Sequence, residues 1–117
     1  MTPDARDDAL LAQLRRGVLQ YCVLALLAEE RRYAYELVRA LGAVEGMVTT
    51  EGTIYPLLSR LRKAGLVSTS WQESTSGPPR RYYETTAAGR IELARFAAEW
   101  RTFARGVDHL IQEGAPR

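Results

Sequence analysis

Apolar side chains return every three or four residues in four stretches of this chain, and two short stretches rich in β-branched and aromatic residues lie between the third and the fourth. From about Asp8 to Ala28, the spacing of Leu10, Leu14, Val18, Tyr21, Leu24 and Leu27 predicts a long helix despite Gly17. Its later half, Cys22 to Leu27, is apolar nearly all round and is the expected centre of the core. A second helix is predicted from Tyr33 to about Val44, with Leu37, Val38, Leu41 and Val44 inward. The charged turn Glu29–Arg32 leads into it and Gly46 ends it. In the third stretch Ile54, Leu57, Leu58 and Leu61 form the inward face of a helix that Thr49 or Thr50 can cap, Glu51 complements and Gly65 closes. Pro56 leaves two readings there: regular helix begins nearer Thr53, or the helix bends.

Leu66 to Gln72 and Arg80 to Thr86 read as strands, joined by seven residues, more than a tight hairpin needs. Trp71 is expected beneath that wing-like loop. Thr86 can cap a last helix from about Ala87 to Glu113, roughly 40 Å long. Its residues Leu93, Phe96, Trp100, Phe103, Val107 and Leu110 alternate spacings of three and four, the seam of a coiled coil, widened by Ala97, Ala104 and Ile111. Such a helix overhangs a small core, and its apolar seam is expected to dimerise with its own copy. The order of parts predicts a mainly α fold with a two-stranded β-wing: a winged helix-turn-helix unit over residues 8–86 and a carboxyl-terminal dimerisation helix over 87–113.

The outward side of the third helix is small, hydroxylated or cationic: Gly52, Pro56, Ser59 and Lys63, flanked by Thr53, Tyr55, Arg60 and Arg62. That is how a helix is presented to a DNA groove. Thr53, Tyr55, Ser59 and Lys63 are the candidates for base edges or thymine methyls. Arg60 and the amides at the helix start, beside Thr50, are candidates for phosphate, and Gly52 permits close backbone approach. Arg80 and Arg81, at the wing base, can reach phosphate or the minor groove. The plainer readings are a solvated amphipathic helix and strand-edge charges that discourage aggregation.

The chain has 117 residues, enough for one domain, and its formal charge of +2 from 16 basic and 14 acidic residues is too small to mark a nucleic-acid binder. Distribution is more informative: residues 60–81 hold five basic side chains against the single acid Glu73, while Asp4, Asp7 and Asp8 acidify the amino end. Cys22 is the only cysteine, so no internal disulfide forms and a reducing compartment is expected. The apolar run Tyr21–Ala28 is short for a bilayer and the amino end is acidic, which gives a soluble, cytoplasmic reading without a membrane partner. About eight residues at the start and Gly114–Arg117 are expected to lack structure. His109 is the only histidine, so no metal site is indicated. Neither a nucleophile with its base nor a phosphate-binding loop can be assembled, so no cofactor and no enzyme is expected.

Five ordered motifs, spread from about Arg16 to Leu110, resemble the PadR family of bacterial transcriptional regulators. They are Arg16-Gly17 before an apolar helix, Tyr33-Ala-Tyr35-Glu-Leu37, Glu51-Gly-Thr-Ile-Tyr-Pro56, Arg60-Leu61 with Gly65-Leu-Val67, and Gly77-Pro-Pro-Arg-Arg-Tyr-Tyr83 leading to Thr86 and Gly89. The short carboxyl end resembles the subfamily with a single terminal helix. The resemblance implies a homodimeric winged-helix repressor on an inverted repeat in double-stranded DNA, nucleoid-associated when bound and released by a small molecule near the dimer interface. The chain is also similar to multidrug-responsive repressors, in which a tryptophan on the last helix faces its mate across a hydrophobic pore. Trp100 matches that position, and a small hydrophobic or aromatic effector follows as the expected ligand, with Gln20, Tyr21, Phe96 and Phe103 as further wall candidates. Phe96 and Phe103 depart from the family's spacing, and Thr85 stands where an aliphatic residue usually precedes the threonine. The rivals are a protein-protein adaptor on the same scaffold and a small-molecule sequestering protein; DNA affinity that falls steeply with salt separates the regulator from both.

Overall fold

The computed structural model describes residues 5–114. Its elements are α1 (Ala5–Glu29), α2 (Ala34–Gly42), α3 (Glu51–Lys63), β1 (Val67–Ser74), β2 (Gly77–Thr85) and α4 (Ala87–Gly114). The expected unstructured ends fall partly on residues 1–4 and 115–117, outside that range; within it, helix already runs at Ala5 and continues to Gly114.

One core joins α1, α2, α3 and the root of the hairpin. Leu24, Leu27, Leu37, Leu41, Ile54 and Leu58 are its largest fully buried side chains, closed by Val67 and Tyr83 from the strands. In α1 only the later half contributes: Leu10 and Leu14 are exposed, whereas Leu19, Val23, Leu24 and Leu27 are buried. By length and composition, the stretch Ala9–Glu29 of this helix is apolar enough to cross a membrane, longer than the run Tyr21–Ala28 suggests. Val44, expected inward, is exposed because α2 stops at Gly42 and the chain turns away through Ala43 to Gly46, whose φ of 85° suits glycine.

All four predicted inward positions of α3 are buried. Thr50 occupies its N-cap position without a side-chain cap bond, so its carbonyl, not its hydroxyl, starts the helix by accepting from the Thr53 and Ile54 amides. Pro56 lies inside the helix as its sixth residue, which removes the amide that the Gly52 carbonyl would otherwise accept. Gly65, at φ 78°, ends the helix in a Schellman turn: the Leu66 amide donates to Leu61 O and the Gly65 amide to Arg62 O, both at 3.0 Å.

The strands are longer than expected and the loop correspondingly shorter: Ser74 pairs with Gly77, leaving Thr75 and Ser76 as the turn. Between the pairs Gln72–Arg80 and Ser74–Gly77, Glu73 faces both Pro78 and Pro79, so the prolines occupy a bulge where a missing amide costs no ladder bond. A single bridge at Arg32 holds the outer edge of β2, its amide donating to Tyr83 O at 3.1 Å and its carbonyl accepting from Tyr83 N at 2.9 Å.

Thr86 fixes how α4 leaves the sheet. Its hydroxyl donates to Gly65 O at 2.7 Å and accepts from the Gly89 amide at 3.1 Å, while its own amide donates to Leu66 O. Gly89 is buried against that junction, and a Cβ there would strike the Leu66 carbonyl oxygen and lie 2.6 Å from Thr85 Cγ2. Thr85, in the place of the usual aliphatic residue, is buried, and its hydroxyl donates to Leu24 O at 2.8 Å, tying the hairpin to α1.

Candidate nucleic-acid interface

Because Ile54, Leu57, Leu58 and Leu61 point into the core, the helical repeat turns Gly52, Thr53, Tyr55, Pro56, Arg60 and Lys63 outward, and all six are exposed. Thr50 is exposed beside them, but Ser59 is only half-buried, nearer the core than its place among the outward residues suggests. Arg60, Arg62 and Lys63 crowd the last turn, where they also complement the helix dipole. None of the three forms an ion pair among the described residues.

An open groove runs between α3 and the hairpin, with Glu51 and Tyr55 on one wall, Trp71, Arg80 and Arg81 on the other, and Tyr33 and Tyr35 of the α2 start at its end. Trp71 is therefore not wedged beneath the wing. It lies in mid-strand with 66% of its surface exposed, because the ribbon extends past the core before its inward face finds anything to pack against. Opposite it on β2, Arg81 is half-buried: its guanidinium carbon is 5.8 Å from the Trp71 ring centre and 5.7 Å from that of Tyr83, and Nη2 donates to Thr69 Oγ1 at 3.5 Å. Its Nε is buried with no hydrogen-bond partner. Arg81 is thus braced between two rings, whereas Arg80 is exposed and stacks on Tyr33 at 4.6 Å.

Sequence reasoning does not single out several side chains that meet here. Arg31, Arg39 and Tyr82 join Tyr33, Tyr35 and Arg80 in a run of arginine–tyrosine pairs across three elements. The four-residue spacing of Tyr35 and Arg39 on α2 is a legible signal; the approach of Arg31 to Tyr82 depends on the Arg32–Tyr83 bridge.

At the other end of the molecule, the wall candidates Tyr21, Phe96, Trp100 and Phe103 form a continuous aromatic stack. Tyr21 of α1 lies flat on Phe96 with ring centres 4.0 Å apart; Phe96 and Trp100 follow at 5.8 Å, Trp100 and Phe103 at 6.3 Å. Gln20 is half-buried beside Tyr21, and Leu93 and Phe96 are half-buried. Beyond them the seam opens: Trp100 is 43% exposed, Phe103 65% and Leu110 71%, with Val107 and Ile111 also bare.

Residues 23–95 match the model of a protein family described as "Transcriptional regulator PadR-like family". Among solved structures, the chain is similar to a PadR family transcriptional regulator from Eggerthella lenta, 37% identical, covering 92% of this chain and 96% of that one at a TM-score of 0.81. A PadR-like transcriptional regulator from Bacillus cereus is 36% identical, with 86% and 97% covered and a TM-score of 0.77. A PadR-like transcription factor from Bacteroides fragilis is 39% identical, with 87% and 98% covered and a TM-score of 0.72.

Proposed function

The chain belongs to the PadR-like family of transcriptional regulators, and on that premise we propose that it is a cytoplasmic, homodimeric repressor that binds an inverted repeat in promoter DNA and releases it when a small hydrophobic or aromatic effector binds. The observation that carries this reading is the division of α3: a fully buried Ile54/Leu57/Leu58/Leu61 face, and opposite it an exposed hydroxylated and cationic face beside the wing. Residues 8–86 form the DNA-binding unit, with Thr53, Tyr55, Ser59 and Lys63 toward base edges. Thr50, Gly52, Arg60 and Arg80 lie toward the backbone, and Arg81 stiffens the wing as well as adding charge.

Residues 87–113 join two copies. An apolar strip from Trp100 to Ile111 this exposed is more than a soluble single chain carries, and a self-complementary helix seam covers it. The aromatic stack on that seam supports the effector reading. A planar apolar molecule that enters beside Trp100, between two copies, prefers one separation of the α4 helices, and the two α3 helices move with them; its differential affinity for that spacing weakens DNA binding.

Selection of bound duplex from a random pool, followed by gel shift at several salt concentrations, tests this. An inverted repeat is expected, with affinity falling steeply as salt rises and a shallower slope after Arg60→Ala and Arg80→Ala, by about 0.9 for each phosphate that is no longer neutralised. Binding indifferent to salt, or no duplex binding, would leave the adaptor reading in its place.

A further inference from the structure

We infer that the arginine–tyrosine ladder at the base of the wing is a second, sequence-neutral clamp on duplex DNA, gripping backbone phosphates outside the segment that α3 reads. It rests on the DNA-binding reading above. Each of three neighbouring rings carries one guanidinium group: Arg31 lies 5.4 Å over the Tyr82 ring, Tyr82 meets Tyr33 edge-on at 5.5 Å, Arg80 lies 4.6 Å over Tyr33, Tyr33 and Tyr35 stand 6.5 Å apart, and Arg39 lies 6.0 Å over Tyr35. The residues come from the α1–α2 turn, from α2 and from β2, and backbone bonds between Arg32 and Tyr83 lock the turn to the strand.

Charge separates this group from an ordinary surface network. Arg32, in the same turn, lies 4.0 Å from Glu29 and 3.5 Å from Glu30. Among the described residues, Arg31, Arg39 and Arg80 have no carboxylate in ion-pair range; their polar partners are Gln72 for Arg31 at 3.4 Å and the Tyr33 hydroxyl for Arg80 at 3.3 Å. A guanidinium with one face on a ring keeps its N–H edge for an acceptor, and its fork of donors fits a phosphate bidentately. Stacking also restricts the side chain beforehand, so less freedom is lost on binding.

Position supplies the partner. Tyr33, Tyr35 and Arg80 line the same groove as Glu51 and Tyr55 of α3, and Glu51 is the one carboxylate on that lining. In a helix-turn-helix the helix before the reading helix crosses the sugar-phosphate backbone, and the exposed side of α2 carries Tyr35 and Arg39. Each ring has one face taken by an arginine, and the ladder presents guanidinium edges and tyrosine hydroxyls, groups that donate to phosphate oxygens without reading a base.

The test uses the full-length protein with its selected operator and an unrelated duplex. Arg31→Ala/Arg39→Ala is expected to weaken both complexes by the same factor, on the order of tenfold or more, and to flatten the slope of log K against log salt by about 1.8. Hydroxyl-radical protection is expected to shrink at the edges and persist at the centre. Arg31 and Arg39 are exposed, and Arg39→Lys, which keeps the charge, is expected to retain the slope. An unchanged slope in the double alanine variant, or a loss confined to the operator, overturns the clamp while leaving the regulator reading intact. If the parent protein binds no duplex in a salt-dependent manner, both fall.

Discussion

Two glycines on the helices give opposite expectations for the same substitution. At Gly17, within α1, an added Cβ meets nothing within 4 Å, so Gly17→Ala is expected to stabilise the fold by about 0.5–1 kcal/mol through the smaller backbone entropy loss of alanine. Gly89 sits in the first turn of α4, where the same Cβ would strike the Leu66 carbonyl oxygen and come within 2.6 Å of Thr85 Cγ2, inside the 3.0 Å that Cβ atoms essentially never cross. A backbone carbonyl cannot swing aside as a flexible side chain can, so the start of α4 has to lift. That movement strains the Thr86 hydroxyl bond to Gly65 O at 2.7 Å and the Thr86 amide bond to Leu66 O at 3.0 Å. Two weakened hydrogen bonds contribute roughly 1–3 kcal/mol and the overpacking a further ~1–3, against a helix-propensity gain of about 1. The net expectation for Gly89→Ala is a loss of about 1–5 kcal/mol, which lowers the melting midpoint by on the order of 10 °C at the middle of that range in a chain of this size. Urea and thermal unfolding followed by circular dichroism, at one fixed protein concentration, measure both variants. A Gly89→Ala midpoint at or above the parent's would mean that the start of α4 takes a methyl group without lifting from the Leu66 carbonyl.

Trp100→Ala is expected to shift the protein toward single chains in sedimentation experiments at micromolar concentration. It should also remove the quenching of tryptophan emission by planar aromatic compounds, leaving the signal of the exposed Trp71; full quenching in that variant would move the effector site away from the α4 seam. Burial pushes the Cys22 thiol above its ordinary value, so at pH 8 less of it is thiolate than in an exposed cysteine, and alkylation is expected to be slow in the native protein, faster as pH rises, and rapid in denaturant. Native labelling as fast as that of a small free thiol would contradict the burial of that face of α1.

Periodicity alone settles which side of each short helix enters the core. Leu37 and Leu41 on α2, and Ile54, Leu57, Leu58 and Leu61 on α3, are apolar at helical spacing and buried, because burying a stripe at that spacing is the only way such a helix hides its apolar surface. Caps with a local mechanism are equally legible: Gly65 ends α3 and Thr86 starts α4, since each acts through backbone groups a few residues away. The Trp71 position shows where this kind of inference stops. Strand alternation puts it on the core-facing side, yet the core ends at Val67, Thr85 and Tyr83, and only the length of the hairpin relative to α3 leaves the ring over an open groove. The loop is shorter than the sequence suggests for a related reason, because two prolines argue against a strand unless a bulge absorbs them, and a bulge is a property of the pairing. Leu10 and Leu14 repeat as regularly as Leu24 and Leu27, but the chain folds against only the later pair.

From sequence, then, come the elements, their buried faces, the outward chemistry of α3 and the aromatic seam of α4, because each is set by neighbours three or four residues apart. The groove between α3 and the wing, the flat stacking of Tyr21 on Phe96, the need for glycine at position 89 and the meeting of Arg31 with Tyr82 came only with the tertiary structure. Each of these joins residues far apart along the chain, and the distance between such residues is decided by how whole elements pack, which no local spacing encodes.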